Sequence, residues 1–421
     1  MIEYERQQEN GFVNDSSFDL RFILTLEEER KESRRGSFLS TDVVPKRSVV
    51  EDNKIVDFLR SQGFTIGLAR TLMKNTDLFP ARVWIIDNST SMNLVDGHRV
   101  VQTLDHKIKN VSCTRWEEVV STLLWHATFC AKMEAPTVIR LVHSIRSGYS
   151  PQITVASTVN VDEAMDLSRL ADLLNGSPSG VSGPLTHLRE TVMACLHDQS
   201  MKLLADEKAL AILYVTDRLP VDNHGQESEH ATQEFLETLQ LLRGSPVFVV
   251  IRLSTDEPRV VKFYNDLDSQ MDSVMAVSPS DTQLPRFGEI HLDVLDDFVS
   301  EAAAVHEHNP WLNYAYPLHL CRESAVQFPV FDTLNDRPLT HRELVEFLTL
   351  LFDQNQPAWG LKPLPNPVTH YSEFRTDILD LNRKAGLLYD PIKRKVAPWI
   401  DLTQMDRIYG DHLSQGCCQI L

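Results

Sequence analysis

Short, mostly apolar runs punctuate the middle of the chain: the continuous Val83-Trp84-Ile85-Ile86, then Thr137 to Val142, Ile153 to Ala156, Ala209 to Val215, Val247 to Leu253 and Ser273 to Val277. A strand covered on both faces has this pattern, because neither side of it turns to solvent. Helical spacing separates most of the runs. From Cys113 to Met133, residues Trp116, Val119, Val120, Leu123, Leu124 and Ala127 recur on one face. Thr114 and Glu117 open that segment as a Thr-x-x-Glu capping box, in which each side chain satisfies a free backbone N–H. Leu188 to Leu204, Thr232 to Leu242 and Pro258 to Leu267 complete the alternation. Strand–helix alternation predicts an α/β domain over residues 80–280, with a doubly wound, mostly parallel sheet flanked by helices.

The flanks differ in texture. Residues 1–50 lack a sustained apolar period and carry the run Glu27-Glu28-Glu29-Arg30-Lys31-Glu32, so a flexible N-terminal arm is expected, with at most one strand or helical turn over Phe18 to Leu26. In 51–79 the spacing of Ile55, Phe58, Leu59, Ile66, Leu68 and Leu72 predicts a helical lead-in. Residues 281–410 form a helical, Pro-rich C-terminal region. There His291 to His306 has helical spacing, and Thr340 with Glu343 caps a helix through Leu344, Phe347, Leu348 and Leu351. Pro357, Pro363, Pro365 and Pro367 then interrupt regular structure. Its aromatic content predicts packing against the α/β domain, and 411–421 is left as a tail.

Charge and composition narrow the function classes. Against 41 Lys and Arg stand 59 Asp and Glu in 421 residues, a formal net charge of −18 that disfavours a nucleic acid partner. No run of about 20 apolar residues is present, and the polar start Met1-Ile2-Glu3-Tyr4-Glu5-Arg6 does not resemble a secretory signal. A chain of this length can bury a core without disulfides. Cysteines 113, 130, 195, 321, 417 and 418 make no CxxC pair, and the first four are expected as reduced thiols.

Candidate chemistry begins where the first apolar run stops. Asp87-Asn88-Ser89-Thr90-Ser91 places a carboxylate and two hydroxyls at the C-terminal edge of a strand, where ligands bind in open α/β sheets. These are hard oxygen ligands suited to Mg²⁺ or Mn²⁺ and poorly suited to zinc. Short Asp/Ser turns also serve as plain helix caps. Tyr214-Val215-Thr216-Asp217 ends another run with a second Asp, and Gly183-Pro184-Leu185-Thr186 offers a further hydroxyl ahead of a helix.

Together these residues resemble the von Willebrand factor type A domain with its metal-ion-dependent adhesion site, over about half the chain. The resemblance implies that Ser89, Ser91 and Thr186 bind Mg²⁺ (or Mn²⁺ or Ca²⁺) directly, that Asp87 and Asp217 act largely through water, and that a protein partner supplies an Asp or Glu carboxylate to the open position. Two positions depart from the family pattern. Gly183 stands ahead of Pro184, with Ser182 as the substitute hydroxyl, and Arg218 stands where the family carries Gly after the second Asp. A guanidinium there can pair with Asp217 and weaken a metal.

No G-x-x-x-x-G-K-[ST], G-x-S-x-G or H-E-x-x-H motif is present, so no enzyme class is indicated. His306 and His308, two apart on a helix, face away from each other, and His98 and Arg99 read as a solvated loop. Arg34-Arg35-Gly36-Ser37-Phe38 is similar to basophilic kinase substrates, which makes Ser37 a phosphorylation candidate. Cys418-Gln419-Ile420-Leu421 fits C-a-a-X with terminal Leu, the pattern for geranylgeranylation at Cys418, with Cys417 beside it for S-acylation. The expectation is a non-catalytic, divalent-metal-dependent protein-interaction protein, held on the cytosolic face of a membrane by a lipid anchor. A regulatory or adaptor subunit of an ATPase or chelatase-type complex, or a metal-free scaffold, is the alternative.

Overall fold

The structure, a computed structural model, describes residues 49–79, 81–102, 108–145, 150–156, 163–198, 208–275, 291–326, 328–353 and 363–410. Two helices lead in, α1 (Val49–Ser61) and α2 (Ile66–Leu78), followed by β1 (Ala81–Ile86) and a hairpin of β2 (Gly97–Gln102) and β3 (Ile108–Cys113). Then come α3 (Arg115–Lys132), β4 (Thr137–Leu141), β5 (Gln152–Val155), α4 (Glu163–Leu174), α5 (Leu185–Asp198) and β6 (Leu210–Thr216). The α/β part closes with α6 (Glu229–Gln240), β7 (Val247–Leu253), α7 (Pro258–Met275) and β8 (His291–Leu295). Helices α8 (Phe298–His308), α9 (Tyr316–Glu323), α10 (Pro329–Thr333), α11 (His341–Phe352) and α12 (Tyr371–Ala385) follow, then a hairpin of β9 (Leu387–Asp390) and β10 (Lys395–Pro398), and α13 (Leu402–Tyr409).

Six strands make one sheet in the order β5-β4-β1-β6-β7-β8, all parallel except β5, which runs against β4. Counted along the chain this is the doubly wound order 3-2-1-4-5-6, whose direction of build-up reverses between β1 and β6. Every residue of β6 and β7 is buried, because helices cover both faces. Trp84, Ile86, Leu213, Val215 and Val250 pack on one face with Leu123 and Leu170, while Ile85, Ile212, Tyr214, Val249 and Ile251 pack on the other with Leu188, Phe235 and Val260.

A third core joins the two ends of the described chain. Leu68 and Leu72 of α2 pack with Trp311, Phe347, Leu351 and Trp399, and the cluster reaches α3 through Phe129 and Cys130. The lead-in and the C-terminal region therefore form one helical layer. Cys113, Cys130 and Cys321 are free and buried.

Three elements differ from the sequence expectation. The last sheet strand is β8, so His291 to His306 is a strand, a short link and most of α8, whose N-cap Asp297 accepts from the Val299 and Ser300 amides. The sheet thus takes a strand from beyond residue 280. Ser273 to Met275 belong to the end of α7, and the rest of that expected strand lies outside the described residues. His98 and Arg99 sit on β2 of a hairpin, not in a loop.

Both capping boxes are formed. Glu343 accepts from the Thr340 amide at 2.8 Å and from Arg337 at 2.7 and 2.8 Å. The Arg337 hydrogen bonds, with help from Thr340, lower its carboxyl to about 2. A folded value below the ordinary one means that this stabilisation is present above the unfolded value and is lost as pH falls toward 2. Glu343→Gln is expected to cost about 1 kcal/mol at neutral pH in urea unfolding, and the gap to wild type should narrow below pH ~4.5.

Candidate functional site

The site lies at the topological switch point. Asp87 follows β1 directly, and its amide donates to the Val215 carbonyl at 2.9 Å, which carries the β1–β6 pairing one residue further. Its side chain is fully buried and folds back, with Oδ1 accepting from the Ser89 amide at 2.8 Å. That turn leads into a short 3-10 segment, Thr90–Asn93, and sets the Ser89 and Ser91 hydroxyl oxygens 3.1 Å apart. The neighbouring loop is pinned by the Thr90 amide donating to Gly180 at 2.9 Å. Glycine is required at 180, since a Cβ there would lie 1.7 Å from the His143 ring.

Asp217 follows β6 directly and is also buried. Arg218 then reaches back across the switch point. Its Nη2 donates to the Ser89 hydroxyl and, at 2.7 Å, to the Ser91 hydroxyl. Its Nε lies 3.4 Å from Asp217 Oδ1 and 3.4 Å from Asp87 Oδ2, an oxygen with no hydrogen-bond partner. Nη1 donates to the Val181 carbonyl at 3.3 Å. Burial, with Asp217 alongside, pushes the Asp87 carboxyl up to about 6, while Arg218 and the Ser89 hydrogen bonds pull the other way.

Arg115, the first residue of α3, completes the cluster. Its Nη1 donates to Asp217 Oδ2 at 2.9 Å, and its other two nitrogens, Nε and Nη2, fork onto Asp96 at 2.7 and 2.5 Å. Those hydrogen bonds hold the Asp96 carboxyl below the usual range. Neither residue belongs to the motifs that mark the site in the sequence. A signal was available, however: a cation in the first helical turn opposes the macrodipole and needs a carboxylate to hold it.

The structure therefore brings together four of the five expected site residues, Asp87, Ser89, Ser91 and Asp217. Thr186 is different. It is exposed at the start of α5, and its hydroxyl donates to Asn223 at 2.6 Å, not to that group. Ser182, the substitute, hydrogen-bonds His143 Nε2 at 3.0 Å. Gly183 has no room for a side chain, since a Cβ there would lie 2.5 Å from Val221 Cγ2. Ser37, Cys417 and Cys418 lie outside the described residues.

The oxygen chemistry is right for Mg²⁺, Mn²⁺ or Ca²⁺, but the arrangement does not fit a resident ion. Both hydroxyls already accept from Arg218, both carboxylates face its Nε, and the third hydroxyl is engaged elsewhere. Among the described residues no group of three His, Cys, Asp or Glu side chains is placed to hold a metal. Above the cluster opens a depression of about 530 Å³, walled by Ser91, Arg115, Asp217 and Arg218 and by the apolar Leu94 and Val181. Leu94, Val95 and Val181 are 52%, 68% and 64% exposed.

No protein-family model matches the chain, and no curated protein matches it. Among the described residues no helix is long and apolar enough to cross a membrane.

Proposed function

We propose that the chain is a non-catalytic protein-interaction module similar to a von Willebrand factor type A domain, and that its recognition face is the β1/β6 switch point. The observation that carries this is the joining of two sequence-distant segments, Asp87 to Ser91 and Asp217-Arg218, beneath an open depression with an exposed apolar rim. Large apolar side chains exposed together and rimmed by polar groups are a feature of docking surfaces. A partner carboxylate approaching the rim would meet the outward edge of Arg218, with Leu94 and Val181 supplying apolar contact. Of the alternatives, a metal-free protein is favoured over a metal-dependent one by the position of Arg218.

A photo-crosslinking side chain installed at Leu94 tests this in cells that express the chain. Discrete protein adducts are expected there, and none from the same probe at Val368, which is 52% exposed in the helical layer. Equal labelling from both positions would contradict the proposal.

The lipid anchor enters the proposal from the sequence alone. Prenylated Cys418, with Cys417 acylated, would hold the module on the cytosolic face of a membrane, since one chain anchors only marginally. Cys418→Ser is expected to move the protein from the membrane fraction to the supernatant and to remove the mass of one prenyl group. Unchanged fractionation and mass would refute it.

A further inference from the structure

Four oxygens from two separate strand ends converge on one side chain. The Ser89 and Ser91 hydroxyls both accept from the same nitrogen, Arg218 Nη2, so a lone pair of each is directed at one point. The carboxylate oxygens Asp87 Oδ2 and Asp217 Oδ1 lie at equal distance, 3.4 Å, from Nε of the same guanidinium. A planar fork with five donors spans such a set, and unlike an amine it keeps its charge when half-buried.

The neighbours fix this arrangement. Asp217 cannot turn away, because Arg115 holds its other oxygen at 2.9 Å and is itself clamped on Asp96. The Arg218 backbone is held as well, its carbonyl accepting from the Tyr264 hydroxyl at 3.1 Å. Gly183, packed on Val221, leaves no side chain ahead of Pro184, and the flanking hydroxyls of Ser182 and Thr186 are engaged with His143 and Asn223.

We infer that Arg218 is a built-in replacement for the divalent cation of this site: its guanidinium takes the place between Ser89, Ser91, Asp87 and Asp217, and wild-type protein binds no divalent ion there. The inference rests on the type A-like reading of these residues. It identifies the cation as part of the chain, so the loops are held without metal, and chelators leave the site unchanged. A divalent ion would have to displace four contacts and then share two carboxylates with an arginine a few ångströms away.

Removing the side chain should turn the site into a metal site. Titration of Mg²⁺ and Mn²⁺ into the full chain, followed by calorimetry and by Mn²⁺ EPR, is expected to show no saturable binding for wild type. Arg218→Gly should gain one ion per chain, bound at least about tenfold tighter than any wild-type binding, and Arg218→Gly/Asp87→Ala should lose it. Mg²⁺ should also raise the thermal midpoint of Arg218→Gly and leave that of wild type unmoved. Arg218→Ser serves as the second variant if glycine prevents folding. Saturable wild-type Mn²⁺ binding that Asp87→Asn abolishes would overturn the inference without reference to any Arg218 variant. So would folded Arg218→Gly and Arg218→Ser proteins that gain no ion. Crosslinking through Leu94 does not depend on either result, so the recognition face and the cation fail separately.

Discussion

Arg252→Ala is expected to cost about 3–5 kcal/mol, a large fraction of the stability of an ordinary domain. Arg252 sits on β7 with 2% of its side chain exposed, hydrogen-bonded to Glu118 of α3 and, at 3.1 Å, to Glu323 of α9. It also donates to the Ser254 hydroxyl at 2.7 Å. Glu323 is fully buried and meets His126 at 3.1 Å and His319 at 3.5 Å. Burial raises the Glu118 carboxyl and Arg252 opposes that rise, so without the guanidinium two carboxylates are left in the interior. The loss should spread beyond the sheet, because Glu118 also accepts from the His98 amide of β2 at 2.8 Å. Replacing the set together, as Arg252→Met/Glu118→Gln/Glu323→Gln, should recover much of the loss, since no uncompensated charge remains. Urea unfolding of the three proteins checks both statements. A loss below about 1 kcal/mol for Arg252→Ala would mean that the network is not formed as described.

The second large effect concerns the joint helical layer. Gly67, in the first turn of α2, faces the end of α11, where an added Cβ would lie 1.8 Å from the Leu350 carbonyl oxygen and 2.6 Å from that of Leu351. Backbone atoms cannot change rotamer, so the two helices must part. Gly67→Val is expected to destabilise by about 3 kcal/mol, more than the roughly 1 kcal/mol that removing a helical glycine can return. If the lead-in did not pack on the C-terminal region, the same substitution would be neutral or stabilising. The direction of the shift in unfolding midpoint is therefore decisive.

Much of the sheet was legible in the sequence for one reason. Strands β1, β4, β6 and β7 are largely covered on both faces and so are written as mostly apolar runs, into which Arg82, Arg140 and the buried Arg252 are set. The edge strand β8 escaped because it carries His291 and Asp293, one stacked 4.4 Å from Phe248 and the other paired with Arg322 at 3.1 Å. Without those partners in view, helical spacing fitted the stretch equally well. The hairpin β2–β3 is largely polar and gave no periodic signal. The helix caps at Thr114 and Thr340 were readable because capping is local.

The site divides along the same line. Asp87, Ser89, Ser91 and Asp217 sit next to strand ends, so their convergence followed from the topology that the alternation predicted. Arg218 was visible only as a departure from a pattern. That it spans to both serines depends on the β1–β6 register, which no local spacing encodes. Arg115 meets Asp217 across about a hundred residues of sequence and is itself held by Asp96, while Thr186 turns to Asn223, a partner no local spacing encodes. Contacts between distant segments determine which of the site's charges is its cation.

A crystal of the wild-type chain soaked in Mn²⁺, with anomalous scattering measured at the manganese edge, tests this assignment most directly. The expected map shows planar guanidinium density in contact with the Ser89 and Ser91 hydroxyls and no anomalous peak among Asp87, Ser89, Ser91 and Asp217. An anomalous peak bonded to the two serines, with the Arg218 side chain swung out to solvent, would contradict it.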